Sequence, residues 1–197
     1  MADVILFHHV LGLTDGVRTF ADRLSAPGHT VHTPDLYDGE VAETLEEGFA
    51  IRERIGRAVV AERTERSVDG LTTELVYAGI SMGVMAAQRF AQTRAGAQVA
   101  LLYEACVPIS GEWAFGPWPR DVPAQVHGMD DDAFFAHEGD LDAARELVDT
   151  IGPDLGAVHT YPGSAHLFLD SSLSSYEAAA TDLVVQRSLE FLARVSS

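Results

Sequence analysis

The chain has 197 residues, 47% of them hydrophobic and 22% charged, which suits one compact domain with a full core of helices over a sheet. A formal net charge of −17 opposes nucleic-acid phosphates and anionic membrane surfaces, and no unbroken apolar run is long enough to span a bilayer. All 13 basic residues are Arg, which excludes lysine-dependent phosphate loops and Schiff-base chemistry, and the lone Cys106 excludes a disulfide framework or a multi-cysteine zinc site.

The apolar start, MADVILFHHV, lacks a basic leader region and reads as a first strand, with a cytoplasmic location expected. Short apolar runs bounded by Gly, Pro and Asp then predict strands at 4–7, 30–33, 74–78, 98–103, 124–127 and 156–161, buried on both faces. Between them, helices are predicted near 15–26, 44–66, 82–95, 138–150 and 175–195. This alternation builds a mostly parallel, doubly wound sheet with right-handed crossovers and helices on both faces. No repeat or linker interrupts it, so a single domain over 1–197 is expected. The stretch 104–122 is rich in Gly, Pro and Trp and has no clean period. It reads either as a wall or lid over a pocket or as an ordinary connection covering the sheet.

Early in the chain, 8-HHVLGLTDG-16 follows the first strand, where a loop can supply an oxyanion amide. Adjacent residues of an extended chain face opposite ways, so His8 and His9 read as one buried and one pocket-facing side chain rather than a metal pair. Further on, 74-ELVYA-78 runs into Gly79-Ile80-Ser81-Met82-Gly83 and then a helical pattern. This is the G-x-S-x-G nucleophile elbow in its strand–turn–helix context, and it points to an α/β-hydrolase fold with minimal cap. Ser81 is then the candidate nucleophile, at a helix N-terminus, and the amide of Met82 one oxyanion donor. Cys106 has no base or helix N-terminus beside it and reads as an inert packed thiol.

A serine nucleophile needs a base and an orienting carboxylate, in the chain order Ser, acid, His for this fold. The acid is sought in 127-HGMDDDAFF-135, where Asp130, Asp131 and Asp132 all qualify and Asp130 is the first able to bend back. A metal site there lacks the EF-hand glycine and glutamate, and no metal or cofactor is expected. His166, in the small-residue loop 161-YPGSAH-166, is favoured as base over His159, which lies inside a strand.

These motifs together resemble the dienelactone hydrolase family over nearly the whole chain. The resemblance is carried by 8-HHVLGLTDGVRTFADRLSAPGHTVHTPDLYDGE-40, by GISMG and by 161-YPGSAHLF-168. It implies a small α/β-hydrolase sheet without a large cap, Asp132 as the acid, and Val10 as the second oxyanion donor. Three positions differ from the best-known members: Ser81 stands where they have Cys, His9 where they have Glu, and Asp170 where they have a substrate-clamping Arg.

The expected activity is cleavage of a small ester or lactone through an acyl-enzyme. His9, Trp113 and Phe134 are expected at the substrate, and a neutral substrate is favoured because Asp170 would repel a carboxylate if it faced the pocket. A thioesterase on the same triad and a catalytically silent binding protein are the rival readings. A small-molecule substrate is the expected partner, with no nucleic acid or membrane, and a homodimer is compatible with the sequence.

Overall fold

The computed structural model describes residues 1–195; residues 196 and 197, the last two of the expected domain, lie outside the described residues. Six parallel strands form one sheet: β1 (Asp3–Phe7), β2 (Thr30–His32), β3 (Leu75–Ile80), β4 (Val99–Tyr103), β5 (Ala124–Met129) and β6 (Gly156–Tyr161). Their order is β2-β1-β3-β4-β5-β6, so the winding reverses between β1 and β3. The crevice beyond the carboxyl ends of two such strands is where open α/β sheets bind ligands.

The apolar runs work because both faces of the central strands are covered. Val4 and Leu6 of β1, Val76 and Ala78 of β3, and Leu101 and Tyr103 of β4 pack beneath α1 (Asp15–Ser25) and α6 (Ala178–Val195). Ile5, Phe7, Leu75, Tyr77, Ala100 and Leu102 face α4 (Gly83–Thr93) and α5 (Asp140–Ile151). The two outer strands depart from the predicted double burial. β2 is exposed or half-buried throughout, and in β6 only Gly156 and Tyr161 are buried, because an edge strand has a neighbour on one side only.

The single helix predicted over 44–66 is two, α2 (Leu45–Ile55) and α3 (Arg57–Arg66). Gly56 separates them with a left-handed φ of 90°, and its N–H closes α2 on the Arg52 carbonyl. Thr44 and Glu47 start α2 with a reciprocal capping box.

The stretch 104–122 is a packed connection rather than a lid. Val107 is held at both main-chain groups by the Gln88 carboxamide, and Trp118 is buried with its indole N–H on the Val122 carbonyl at 2.8 Å. The Gln88 bonds tie the segment to α4, the Trp118 bond closes its far end on itself, and 110–113, 117, 120 and 121 are its exposed residues.

Phe20 of α1 is 1% exposed and meets Tyr103 edge-to-face at 5.1 Å between centroids. Phe20→Ala should therefore cost about 3–5 kcal/mol in urea unfolding. Leu183→Ala, on the exposed face of α6, should stay within about 0.5 kcal/mol of the parent protein.

Candidate active site

β3 ends at Ile80 and α4 begins at Gly83, which leaves two residues to reverse the chain. Ser81 takes the left-handed conformation, φ 49°, where a side chain other than glycine is strained. Its N–H donates to the Tyr103 carbonyl at 2.7 Å, which fixes the turn against β4. The flanking glycines are sterically required: a Cβ on Gly79 would overlap the Gly83 backbone, and one on Gly83 would overlap the Phe7 carbonyl. The hydroxyl therefore stands at the carboxyl end of β3, half-buried, over the first turn of α4.

Ser81 Oγ lies 2.9 Å from His166 Nε2, and His166 Nδ1 lies 2.7 Å from Asp132 Oδ2. A carboxylate can only accept, so Nδ1 donates to Asp132 and Nε2 accepts the Ser81 hydroxyl proton. Asp132 is fully buried, and its other oxygen accepts the Phe134 N–H at 2.9 Å. Burial alone would lower the His166 pKa, but the Asp132 hydrogen bond and the charges of Glu104, Asp132 and Asp140 outweigh it and raise it above its ordinary value.

Asp130 does not occupy the acid position. It is exposed and accepts the Gly163 N–H at 3.0 Å, so it shapes the loop leading to His166 instead of contacting the ring. Asp131 pairs with His137 at the surface. His159 lies on β6 with its ring 5.1 Å from His127, far along the sheet from Ser81. Cys106 is buried, and burial pushes its thiol up.

The loop after β1 is tied by its own histidines. His9 accepts the Leu11 N–H on Nδ1 at 3.2 Å and so presents a proton on Nε2 to Asp170, 2.8 Å away. His9 was expected at the substrate, but it is 0% exposed and serves this buried pair. His8 is buried too, with burial lowering it to about 4; its Nδ1 donates to the His9 carbonyl and its Nε2 accepts the Leu36 N–H. The amides of Leu11, Gly12 and Thr14 are taken within the loop. Those of Val10 and Met82 meet no protein acceptor among the described residues, which leaves two donors beside the elbow.

Asp170 is buried and does not line the cleft beside His166. Besides His9 it accepts Thr14 Oγ1 at 2.5 Å, the Ser172 N–H at 2.8 Å and Ser172 Oγ at 2.5 Å. Burial would raise its pKa, but these hydrogen bonds hold it down at about 2.

Sequence reasoning passed over Glu104. This residue directly follows β4, is 1% exposed, and accepts the N–H groups of Leu167 at 2.9 Å and Leu169 at 3.3 Å. The signal available was a lone glutamate directly after an apolar strand, at the end of the sheet that carries Ser81.

A cleft of about 650 Å³ opens beside His166, walled by Leu11, Leu13, Val41, Leu45 and Leu173, with Asp15 and Glu43 at its exposed rim. A second groove of about 370 Å³ lies on the Met82 side, between α3 and α4, and carries Arg52, Arg57 and Arg89. The Phe134 ring sits 4.6 Å from the His166 ring. Trp113 was expected at the substrate but is 76% exposed and lines neither space, because its segment is anchored over α4. Among the described residues, no group of His, Cys, Asp and Glu is placed to hold a metal ion, and no helix is long and apolar enough to cross a membrane.

The family model described as "Dienelactone hydrolase family" matches residues 1–103. No curated protein matches the chain. Among solved structures, the dienelactone hydrolase-like promiscuous phosphotriesterase from metagenomic libraries is similar with a TM-score of 0.77 at 17% identity, over 99% of this chain and 87% of its own. A Klebsiella pneumoniae protein provisionally named a dienelactone hydrolase gives 0.73 at 17% identity, over 98% and 87%. Esterase 2 of the Planctomycetes species Thermogutta terrifontis, with propionate bound, gives 0.67 at 14% identity, over 98% and 83%. The shared architecture is the α/β-hydrolase fold.

The His9–Asp170 pair predicts a pH signature. Asp170 is held at about 2 in the fold, below the value of about 3.9 for an unfolded aspartate. Its stabilising contribution is then complete above about pH 4 and fades as pH falls towards 2. Asp170→Asn should lower stability at pH 7 by about 3 kcal/mol. In urea titrations across pH, the gap from the parent protein should close on the acid side.

Proposed function

The chain belongs to the dienelactone hydrolase family, and from that premise we propose that it is a serine hydrolase cleaving a small ester or lactone through an acyl-enzyme on Ser81. Hydrolysis of ester bonds is the activity of its kind; the nucleophile, the acyl-enzyme and the substrate are this reading's own additions. The observation that carries it is the unbroken chain from Ser81 Oγ to His166 to Asp132, at 2.9 and 2.7 Å.

Ser81 Oγ attacks the acyl carbon while its proton passes to His166 Nε2. Asp132 holds the ring in the required tautomer and stabilises the imidazolium that forms. The N–H groups of Val10 and Met82 donate to the developing oxyanion, each such donor being worth about 10²–10³ in rate. The imidazolium then gives its proton to the leaving alcohol, and the acyl group stays on Ser81. A water, deprotonated by the same Nε2, releases the acid and restores the serine.

A neutral acyl or alcohol part suits the cleft beside His166, whose walls are aliphatic and whose rim carries carboxylates without a cation. A thioester would use the same apparatus, and rates on matched oxygen and sulfur esters separate the two. A fluorophosphonate tests the chemistry directly. The Thermogutta esterase of the same fold is phosphonylated by cyclosarin, which supports the choice of probe.

The probe should label Ser81, and Ser81→Ala should lose both labelling and esterase activity; a fully active alanine variant would sink the assignment. Asp132→Asn should lower kcat by about 10⁴, as loss of the orienting carboxylate does in serine proteases, while Asp130→Asn stays close to the parent. Because His166 must be neutral to act as base and its pKa is raised, kcat/KM should fall on acidification through a midpoint above the ordinary histidine value of about 6.5. Neutral esters should outrun matched carboxylate-bearing ones by about tenfold, or 1.4 kcal/mol. The opposite preference would direct the charged end to the arginine groove.

A further inference from the structure

The proposed chemistry makes no use of Glu104, yet a buried carboxylate costs several kcal/mol unless fully hydrogen-bonded. Its backbone is left-handed, φ 63°, and its N–H donates to the His127 carbonyl at 2.6 Å, which pins the residue to β5. Its side chain reaches the segment just after His166: Oε2 accepts the Leu167 N–H and Oε1 the Leu169 N–H. Leu167 is itself left-handed, φ 61°, a conformation that strains a residue other than glycine and persists only where its surroundings enforce it. Two strained residues therefore face each other across one carboxylate, and His166 is the neighbour of one of them.

We infer that Glu104 is a positioning residue for His166: its carboxylate grips the Leu167 and Leu169 amides, fixes the left-handed turn that aims the imidazole, and sets a buried negative charge beside that of Asp132. The inference rests on the serine-hydrolase reading. The geometry needs this help, because the imidazole meets Ser81 and Asp132 through single hydrogen bonds from a loop of small residues. A misplacement of about 1 Å at such a site costs on the order of 10² in rate.

The charge has its own consequence. The ionisable groups facing His166 are Asp132 from the loop after β5, Asp140 from the first turn of α5, and Glu104 from just after β4. Those facing Glu104 are His166 and Asp132. Burial pushes Glu104 up to about 7, with Asp132 adding to the rise and His166 and the two amides opposing it. Ionised Glu104 favours the imidazolium, so removing its charge lowers the His166 pKa. A role confined to folding would move stability and leave that pKa alone.

Glu104→Gln keeps the size but offers one acceptor oxygen to the two amides. It should lower kcat about ten- to hundredfold, the usual effect of outer-shell substitutions, with KM little changed. The acid limb of kcat/KM should shift to lower pH. Glu104→Gly relieves the left-handed backbone and guards against misfolding of the first variant; it should show the same loss and the same shift. An unchanged kcat with an unmoved acid limb would overturn the inference, whatever happens to stability. Failure of both variants to fold would overturn it too, by making Glu104 a residue of the fold. Fluorophosphonate labelling of the parent protein runs alongside. An unlabelled parent strikes the serine-hydrolase reading itself, whereas a labelled parent with unaffected variants strikes this inference alone.

Discussion

A side chain on Gly83 would overlap the Phe7 carbonyl, and one on Gly79 would overlap the first turn of α4. Because neither exists, α4 rests directly on β1 and β3, and the chain can reverse in two residues. That close approach forces Ser81 into the left-handed region and puts its hydroxyl, rather than its backbone, at the mouth of the crevice. The same contact sets the loop after β1 alongside the elbow, with the Phe7 and His8 carbonyls against Gly83. The positions of the other groups follow from the sheet: β4 brings Glu104, β5 brings Asp132, and the loop after β6 brings His166.

Three buried carboxyl groups help to hold the loop that carries His166. Asp132 takes the ring, Glu104 takes the amides of Leu167 and Leu169, and Asp170 ties the far end to His9 and Thr14 in the loop after β1. Each of these carboxyl groups is removed from water and hydrogen-bonded; the bonds hold Asp170 down at about 2, whereas burial prevails at Glu104 and pushes it up to about 7. The arrangement links the His166 loop to the loop after β1 through protein, so the site is organised before anything binds. Asp170 spends both of its oxygens on protein donors. The side chain there is an internal brace, turned away from the cleft, and says nothing directly about the charge of the substrate.

Local residue patterns carried much of this protein. Period and punctuation located each strand within a residue or two, because a parallel strand buried on both faces must be apolar throughout and its ends must turn. The elbow was legible because the steric demand for glycine at both ends is a property of the turn itself, wherever it is found. His166 was legible from the small residues before it. What stayed hidden were directions and distances. His9 and Trp113 were placed at the substrate by their position in the chain, but whether a side chain turns inward is decided by the element packed against it. For His9 that element is the segment bearing Asp170, 161 residues away; for Trp113 it is α4, reached through Gln88 and Gln92. The choice among Asp130, Asp131 and Asp132 is of the same sort, since consecutive residues at a strand end point different ways and only the fold says which one meets the ring. Glu104 was silent for the same reason: its amide partners lie more than sixty residues on. Sequence alone determined the strands, the elbow and the residue types available for chemistry, all of which depend on short-range sterics and hydropathy. Tertiary structure alone decided which buried charges meet, because hydrogen-bond partners distant in the chain are chosen by packing.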